Sequence, residues 1–230
     1  MLTSTDTIMG PTPPASAYLE SYRTLRSSIM TMCEREPFRT ALLTSTRDRE
    51  GKTTVAINLA TVISLVGKTT ILVDADFYGA GLTRELQIPE GTPGLTDLCQ
   101  GSVSVDDVLT PLEIDTMKVV PIGSDPNTGP ELVASPVMRQ TLDTLAKQAD
   151  FVFIDCTPMT GFGTAISLAP IVDAVLFVTV ARSDAQDVRR CIDDLADSGA
   201  RLAGVVVNDI LPEDSAVYRA FYRYYQHQHA

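Results

Sequence analysis

Thr40-Ala41-Leu42-Leu43-Thr44-Ser45-Thr46-Arg47-Asp48-Arg49-Glu50-Gly51-Lys52-Thr53-Thr54 is the stretch that decides the reading of this chain. It opens with an apolar, β-branched run (Thr40 to Thr44), passes through a polar loop and closes on Gly51-Lys52-Thr53. A helix-forming stretch, Thr53 to Leu65, follows directly. Strand, loop with Gly-Lys-Thr, then helix is a phosphate-binding arrangement. Such a loop wraps backbone N–H groups around phosphate oxygens at the positive end of a helix. Lys52 is spaced to reach the outer phosphates, and the Thr53 hydroxyl is spaced to hold Mg²⁺. Residues Thr46, Arg47, Asp48, Arg49, Glu50, Gly51, Lys52, Thr53 and Thr54 are therefore the expected nucleotide ligands. The full GxxxxGK[ST] spacing wants glycine where Thr46 stands, and residues 47–50 are bulkier than usual. A chance GKT in a surface loop is the competing reading, and the flanking strand and helix argue against it.

Outward from the loop, apolar runs alternate with amphipathic stretches. Thr69 to Val73, Lys118 to Pro121, Phe151 to Ile154, Ala174 to Val180 and Ala203 to Val207 read as buried parallel strands, apolar on both faces. Pro136 to Lys147 and Ala185 to Asp197 read as helices, with Ser135 as N-cap before Pro136. The alternation implies a doubly wound α/β fold, a mostly parallel sheet with helices on both faces. Two strands end in carboxylates: Ile71-Leu72-Val73-Asp74-Ala75-Asp76 and Phe151-Val152-Phe153-Ile154-Asp155. Carboxylates at the C-terminal edge of parallel strands project into the crevice where such sheets bind ligands. Asp74, Asp76 and Asp155, beside the Thr53 hydroxyl, make an expected Mg²⁺ site, because Mg²⁺ takes few protein carboxylates and completes its shell with water and phosphate. A strand-end cap is the plain alternative for any one of these aspartates.

Composition sets limits. A net charge of -11 disfavours phosphate-backbone binding, so no nucleic-acid partner is expected. Cys33, Cys99, Cys156 and Cys191 are scattered, without zinc spacing or a disulfide framework, which suggests a reducing compartment. No apolar run approaches the ~18 residues of a membrane span, and the best, Ile171 to Ala181, is interrupted by Asp173. The N-terminus shows no secretory pattern, so a cytoplasmic location is expected. Residues 1–14 read as a flexible lead-in, 15–213 as one nucleotide-binding domain and 214–230 as a tyrosine-rich tail. A helix from about Ala15 to Glu34 carries Tyr18, Tyr22, Leu25 and Ile29 at helical spacing.

These motifs resemble the bacterial tyrosine kinases of polysaccharide export (BY-kinases), from about Tyr18 to the C-terminus. Thr44 to Thr54 resembles their Walker A, Ile71 to Asp76 their Walker A′ and Phe151 to Pro158 their Walker B. Glu20, Arg23 and Arg26 match their Glu-x-x-Arg-x-x-Arg helix, which implies a ring-like homo-oligomer with those residues at the interface. Pro93 to Gly101 and Pro126 to Met138 resemble their linking segments. The resemblance implies a P-loop NTPase core, ATP and Mg²⁺ as cofactors, and phosphoryl transfer to tyrosine. It gives Lys52, Asp74, Asp76 and Asp155 catalytic roles, with Asp74 on the acceptor hydroxyl, narrows the Mg²⁺ ligands to Thr53, Asp76 and Asp155, and sets Asn208 and Asp209 near the base. It also implies autophosphorylation at Tyr218, Tyr222, Tyr224 and Tyr225. Implied partners are a transmembrane activator, or polysaccharide co-polymerase, and a tyrosine phosphatase, with attachment to the inner face of the plasma membrane through a partner. Departures from the family pattern are Tyr78 for its arginine, Asp48-Arg49 for its Pro-Gly and Cys156 after the Walker B aspartate.

Two other functions compete. A partition-type ATPase switch carries a signature lysine where this chain has Arg47, and a degenerate scaffold of the export complex would lack Mg-ATP binding. Tyr218, Phe221, Tyr222 and Tyr225 share one face of a helix from about Asp214, which suits packing as well as chemistry. His227 and His229 lack further ligands for a metal.

Overall fold

The sheet takes its order from the way each buried strand feeds a crossover helix. The computed structural model describes residues 15–211, with side chains from Tyr18 onward. In chain order the elements are α1 (Ala15–Arg35), β1 (Thr40–Ser45), α2 (Lys52–Ser64), β2 (Thr70–Ala75), α3 (Gly81–Glu85), α4 (Leu95–Gln100) and α5 (Val105–Val108). Then follow β3 (Thr110–Pro111), β4 (Met117–Val120), α6 (Gly129–Val133), α7 (Pro136–Ala146), β5 (Phe151–Cys156), α8 (Thr164–Leu168), β6 (Ala174–Val180), α9 (Ala185–Asp197) and β7 (Leu202–Asn208). The seven strands run in the order β3-β4-β2-β5-β1-β6-β7. All neighbours are parallel except β3, which pairs antiparallel with β4. The expected strands and long helices are present within a residue or two.

Side chains alternate across the pleat. Leu42, Ile71, Val73, Val152, Ile154 and Phe177 face α4, α7, α8 and α9. Ala41, Leu43, Leu72, Phe153 and Leu176 face α1, α2 and α3. Both faces are covered, which is why the strands read as unbroken apolar runs. Each large aliphatic side chain so buried contributes about 1.5–3 kcal/mol. Helix α2 is buried nearly all round, because α1 covers the side turned away from the sheet. Tyr22 and Ile29 supply the buried stripe of α1, and the Arg26 guanidinium donates to the Val62 carbonyl at 3.0 Å.

Aspartates pin the starts of the strands. Asp173 accepts from the Arg39 and Thr40 amides at 2.8 and 2.9 Å, tying β6 to β1. Asp150 accepts from the Thr69 amide and hydroxyl, tying β5 to β2. The break that Asp173 makes in its apolar run is therefore a register clamp. Ser135 occupies the N-cap of α7 but its hydroxyl donates back to Leu132 O at 2.7 Å, so it does not cap in the expected way. All four cysteines are unpaired thiols. No helix of the described residues is long and apolar enough to cross a membrane. The tail at 214–230, with its four candidate tyrosines, lies outside the described residues.

Candidate functional site

Six residues, Thr46 to Gly51, join fully buried β1 to α2. Gly51 carries φ 91°, and a Cβ there would stand 2.0 Å from the Asn208 side-chain nitrogen, so only glycine fits. The bulky residues of the loop serve as struts. Glu50, 6% exposed, accepts from the Arg47 amide at 3.0 Å and the Ser183 hydroxyl at 2.6 Å. Asn208 donates to the Glu50 carbonyl at 3.2 Å, and the Ser45 hydroxyl donates to Arg47 O at 2.7 Å. Arg47 pairs with Asp187 in the first turn of α9 at 2.5 Å, within the same chain. Lys52, the first residue of α2, is buried at the loop's inner end. The loop thus delivers the amide end of α2 and one ammonium to the C-terminal edge of the sheet, a ready anion site.

Register brings the carboxylates together. Asp74 on β2 lies opposite Asp155 on the adjacent β5. Asp155 Oδ2 accepts from the Thr53 hydroxyl at 2.6 Å, while its Oδ1 is buried without a hydrogen-bond partner. Burial pushes Asp155 up to about 8, with the charge of Asp74 adding and the Thr53 bond and Lys52 opposing. Asp74, fully buried, accepts from the Thr83 amide and hydroxyl at 2.7 Å each and from the Asp76 amide at 3.1 Å. Burial raises it to about 6 against those donors. Asp76 is half-buried and accepts from the Gly79 amide at 3.0 Å.

A Cβ placed on Gly81 would lie 2.9 Å from Thr53 Oγ1, 3.5 Å from Asp155 Oδ2 and 3.8 Å from Asp76 Oδ2. Three oxygens therefore converge on one small space beside the start of α2, and one of their carboxylates has an orphaned oxygen. That donor set, all oxygen and short of a full shell, fits a hard divalent cation completed by water and phosphate. Among the described residues no group of three or more His, Cys, Asp or Glu side chains could hold a metal unaided.

The structure brings Lys52, Thr53, Asp74, Asp76 and Asp155 into one site. Asn208 and Asp209 stand at the far side of the loop, where Tyr18, Tyr22, Arg49, Thr54 and Val207 join them around a cavity of about 770 Å³. Of the helix motif, Arg23 pairs with Glu20 at 3.1 Å on the exposed side of α1, and Arg26 holds α1 to α2. Asp74 is fully buried at the end of β2 and takes three donors, beside Asp155, which is buried to the same degree. Sequence reasoning missed Thr83 in α3, Ser183 in the turn after β6 and Asp187 in the first turn of α9, which no motif marks. It also missed the contact of Tyr78 with Phe162, whose ring centroids are 4.4 Å apart at 38°.

A buried strand, an anion-binding loop and paired strand-end carboxylates on a parallel sheet make this a P-loop NTPase. Residues 39–221 match the family model described as "ParA: NUBPL iron-transfer P-loop NTPase", and the chain belongs to that family. Curated proteins similar to it carry tyrosine-protein kinase names, as the motifs suggest. It is 31% identical over 200 residues to EpsB of Ralstonia nicotianae, whose name assigns it to the tyrosine-protein kinases; the match covers 86% of this chain and 26% of that protein. It is 26% identical to the tyrosine-protein kinase YwqD of Bacillus subtilis, over 87% of this chain and 85% of YwqD. The crystal structure of the chimerical protein CapA2B2 superposes with TM-score 0.79 at 27% identity, covering 90% of each chain. This chain thus spans about a quarter of the length of EpsB and most of YwqD.

Proposed function

We propose that this chain is an ATP-dependent protein-tyrosine kinase domain that phosphorylates its own tyrosine tail and acts in capsule or exopolysaccharide production. The observation that carries the reading is the convergence of Thr53, Asp76 and Asp155 oxygens beside Lys52, in a chain whose relatives are named tyrosine kinases. Lys52 and the first amides of α2 hold the outer phosphates of ATP. Thr53 and Asp155, with Asp76, hold Mg²⁺, directly or through water. Bound there, the ion neutralises charge on the transferring phosphoryl group. Asp74 orients the acceptor tyrosine and takes its hydroxyl proton, as the new O–P bond forms and the bond to the ADP oxygen breaks. Asp74 positions Asp76 through the Asp76 amide and holds Thr83 beneath the site. Asn208 and Asp209 border the cavity that takes the base. The acceptors are Tyr218, Tyr222, Tyr224 and Tyr225. We further propose ring-like self-association through the Glu20-Arg23-Arg26 face of α1, a transmembrane activator on the same or a separate chain, and a phosphatase that resets the tail.

The test is phosphopeptide mapping of the recombinant chain and its Lys52→Met variant after incubation with Mg-ATP. Phosphate on tail tyrosines in the parent alone supports the reading. Hydrolysis without phosphotyrosine in the parent points instead to an ATPase switch, and absence of Mg-ATP binding points to a scaffold.

A further inference from the structure

Tyr78 is 59% exposed, the most exposed aromatic ring among the described large hydrophobic residues. It is nevertheless held. Its backbone amide lies against Asp76 Oδ1, and its ring rests on the half-buried ring of Phe162. Tyr78 lies in the loop after β2 and Phe162 in the loop after β5, two adjacent parallel strands whose ends carry Asp76 and Asp155. The chain therefore presents a paired aromatic surface at the rim of its acidic site, and nothing in the binding of phosphate or cation uses it. An exposed ring already stacked on a second ring offers an ordered face to a further aromatic or guanidinium group.

We propose that the Tyr78–Phe162 pair is the docking platform for the acceptor segment, and that its occupant is the C-terminal segment of this chain, residues 215–230. The inference rests on the kinase reading and adds to it the residues that select the acceptor. Two features of the sequence match segment to platform. The segment carries five rings, Tyr218, Phe221, Tyr222, Tyr224 and Tyr225, which can pair with exposed rings. It also carries Arg219 and Arg223 and no acidic side chain, in a chain of net charge -11, and the platform adjoins the half-buried carboxylate of Asp76, which accepts from the Tyr78 amide. Arginine stacks on aromatic faces and is drawn to carboxylates, so the same segment satisfies both parts of the surface.

The test separates docking from chemistry. A fluorescein-labelled peptide of residues 215–230 is titrated with the full chain carrying Tyr218→Ala, Tyr222→Ala, Tyr224→Ala and Tyr225→Ala, so that its own tail competes little. Fluorescence anisotropy is followed in this host and after adding Tyr78→Ala, Phe162→Ala or Tyr78→Phe. Each alanine change should weaken peptide binding about five- to tenfold, the loss expected for one ring contact with its stacked arginine. Tyr78→Phe should bind as the host does, and rising salt should weaken binding in all. Affinity for a fluorescent ATP analogue should be unchanged throughout. Equal peptide affinity in host and alanine variants overturns the proposal, as does no peptide binding by the host. Loss of nucleotide affinity in parallel also overturns it, since it makes the pair loop scaffolding. A host that binds the peptide but transfers no phosphate to it with Mg-ATP leaves the platform standing and removes the kinase reading.

Discussion

Asp155→Asn should make the ligand-free protein more stable at neutral and alkaline pH. The parent holds a carboxyl raised from 3.8 to about 8 by burial, with one oxygen lacking any partner. Between those values the folded state keeps a proton that the unfolded state has released. Stability from this group is therefore fully present below about pH 4 and is lost as pH rises through about 8. One pH unit corresponds to about 1.4 kcal/mol, so from pH 5 to pH 8 the loss is bounded by about 4 kcal/mol. Coupling to Asp74 and solvent relaxation lower the loss below that bound, to about 1–3 kcal/mol. Asparagine does not titrate and still accepts from the Thr53 hydroxyl. Thermal melts in EDTA from pH 5 to pH 8 should show the parent falling below the variant by about 5 °C at the upper end. The variant also loses the charge coupling between Asp155 and Asp74, so the difference between the two proteins reports the pair. With Mg-ATP the order should reverse, because the parent gains a bound cation that the variant holds poorly. Parallel melts across the whole range would refute the assignment of Asp155 as a desolvated carboxylate awaiting a cation.

Three more outcomes are expected. Gly51→Ala forces a side chain into φ 91° and against Asn208, so it should lower stability by about 1–3 kcal/mol and remove nucleotide binding, read by denaturation and by a fluorescent ATP analogue. Glu50→Ala strips the acceptor from the Arg47 amide and the Ser183 hydroxyl, and should cost about 1–3 kcal/mol with weakened nucleotide affinity; Ser183→Ala should show a smaller loss in the same assays. Thr83→Val removes the hydroxyl donor to Asp74 and should raise the Asp74 pKa above about 6, which steepens the fall in ligand-free stability between pH 5 and pH 7.

Much of this molecule is legible in its order of residues. The runs TALLTS, TILVDA and FVFIDC are apolar on both faces and end in polar groups, and such runs have one stable use, as central parallel strands with their C-terminal ends at a site. Gly51-Lys52-Thr53 needs only its neighbours to be understood, because loop and helix are contiguous. The pairing of Asp74 with Asp155 was not legible, since it depends on β2 and β5 lying side by side in register across about eighty residues of chain. Nor was the use of Glu50 and Arg47: a bulky loop reads as a defect until Ser183 and Asp187 arrive from the far end of β6 and the start of α9. Only packing decided that Arg26 grips α2 rather than standing free, and that Tyr78 meets Phe162. Local sequence determines which backbone a segment prefers and which chemistry it offers. Desolvation, raised carboxylate pKa values and ring contacts arise between segments, where only the folded sheet sets the distances.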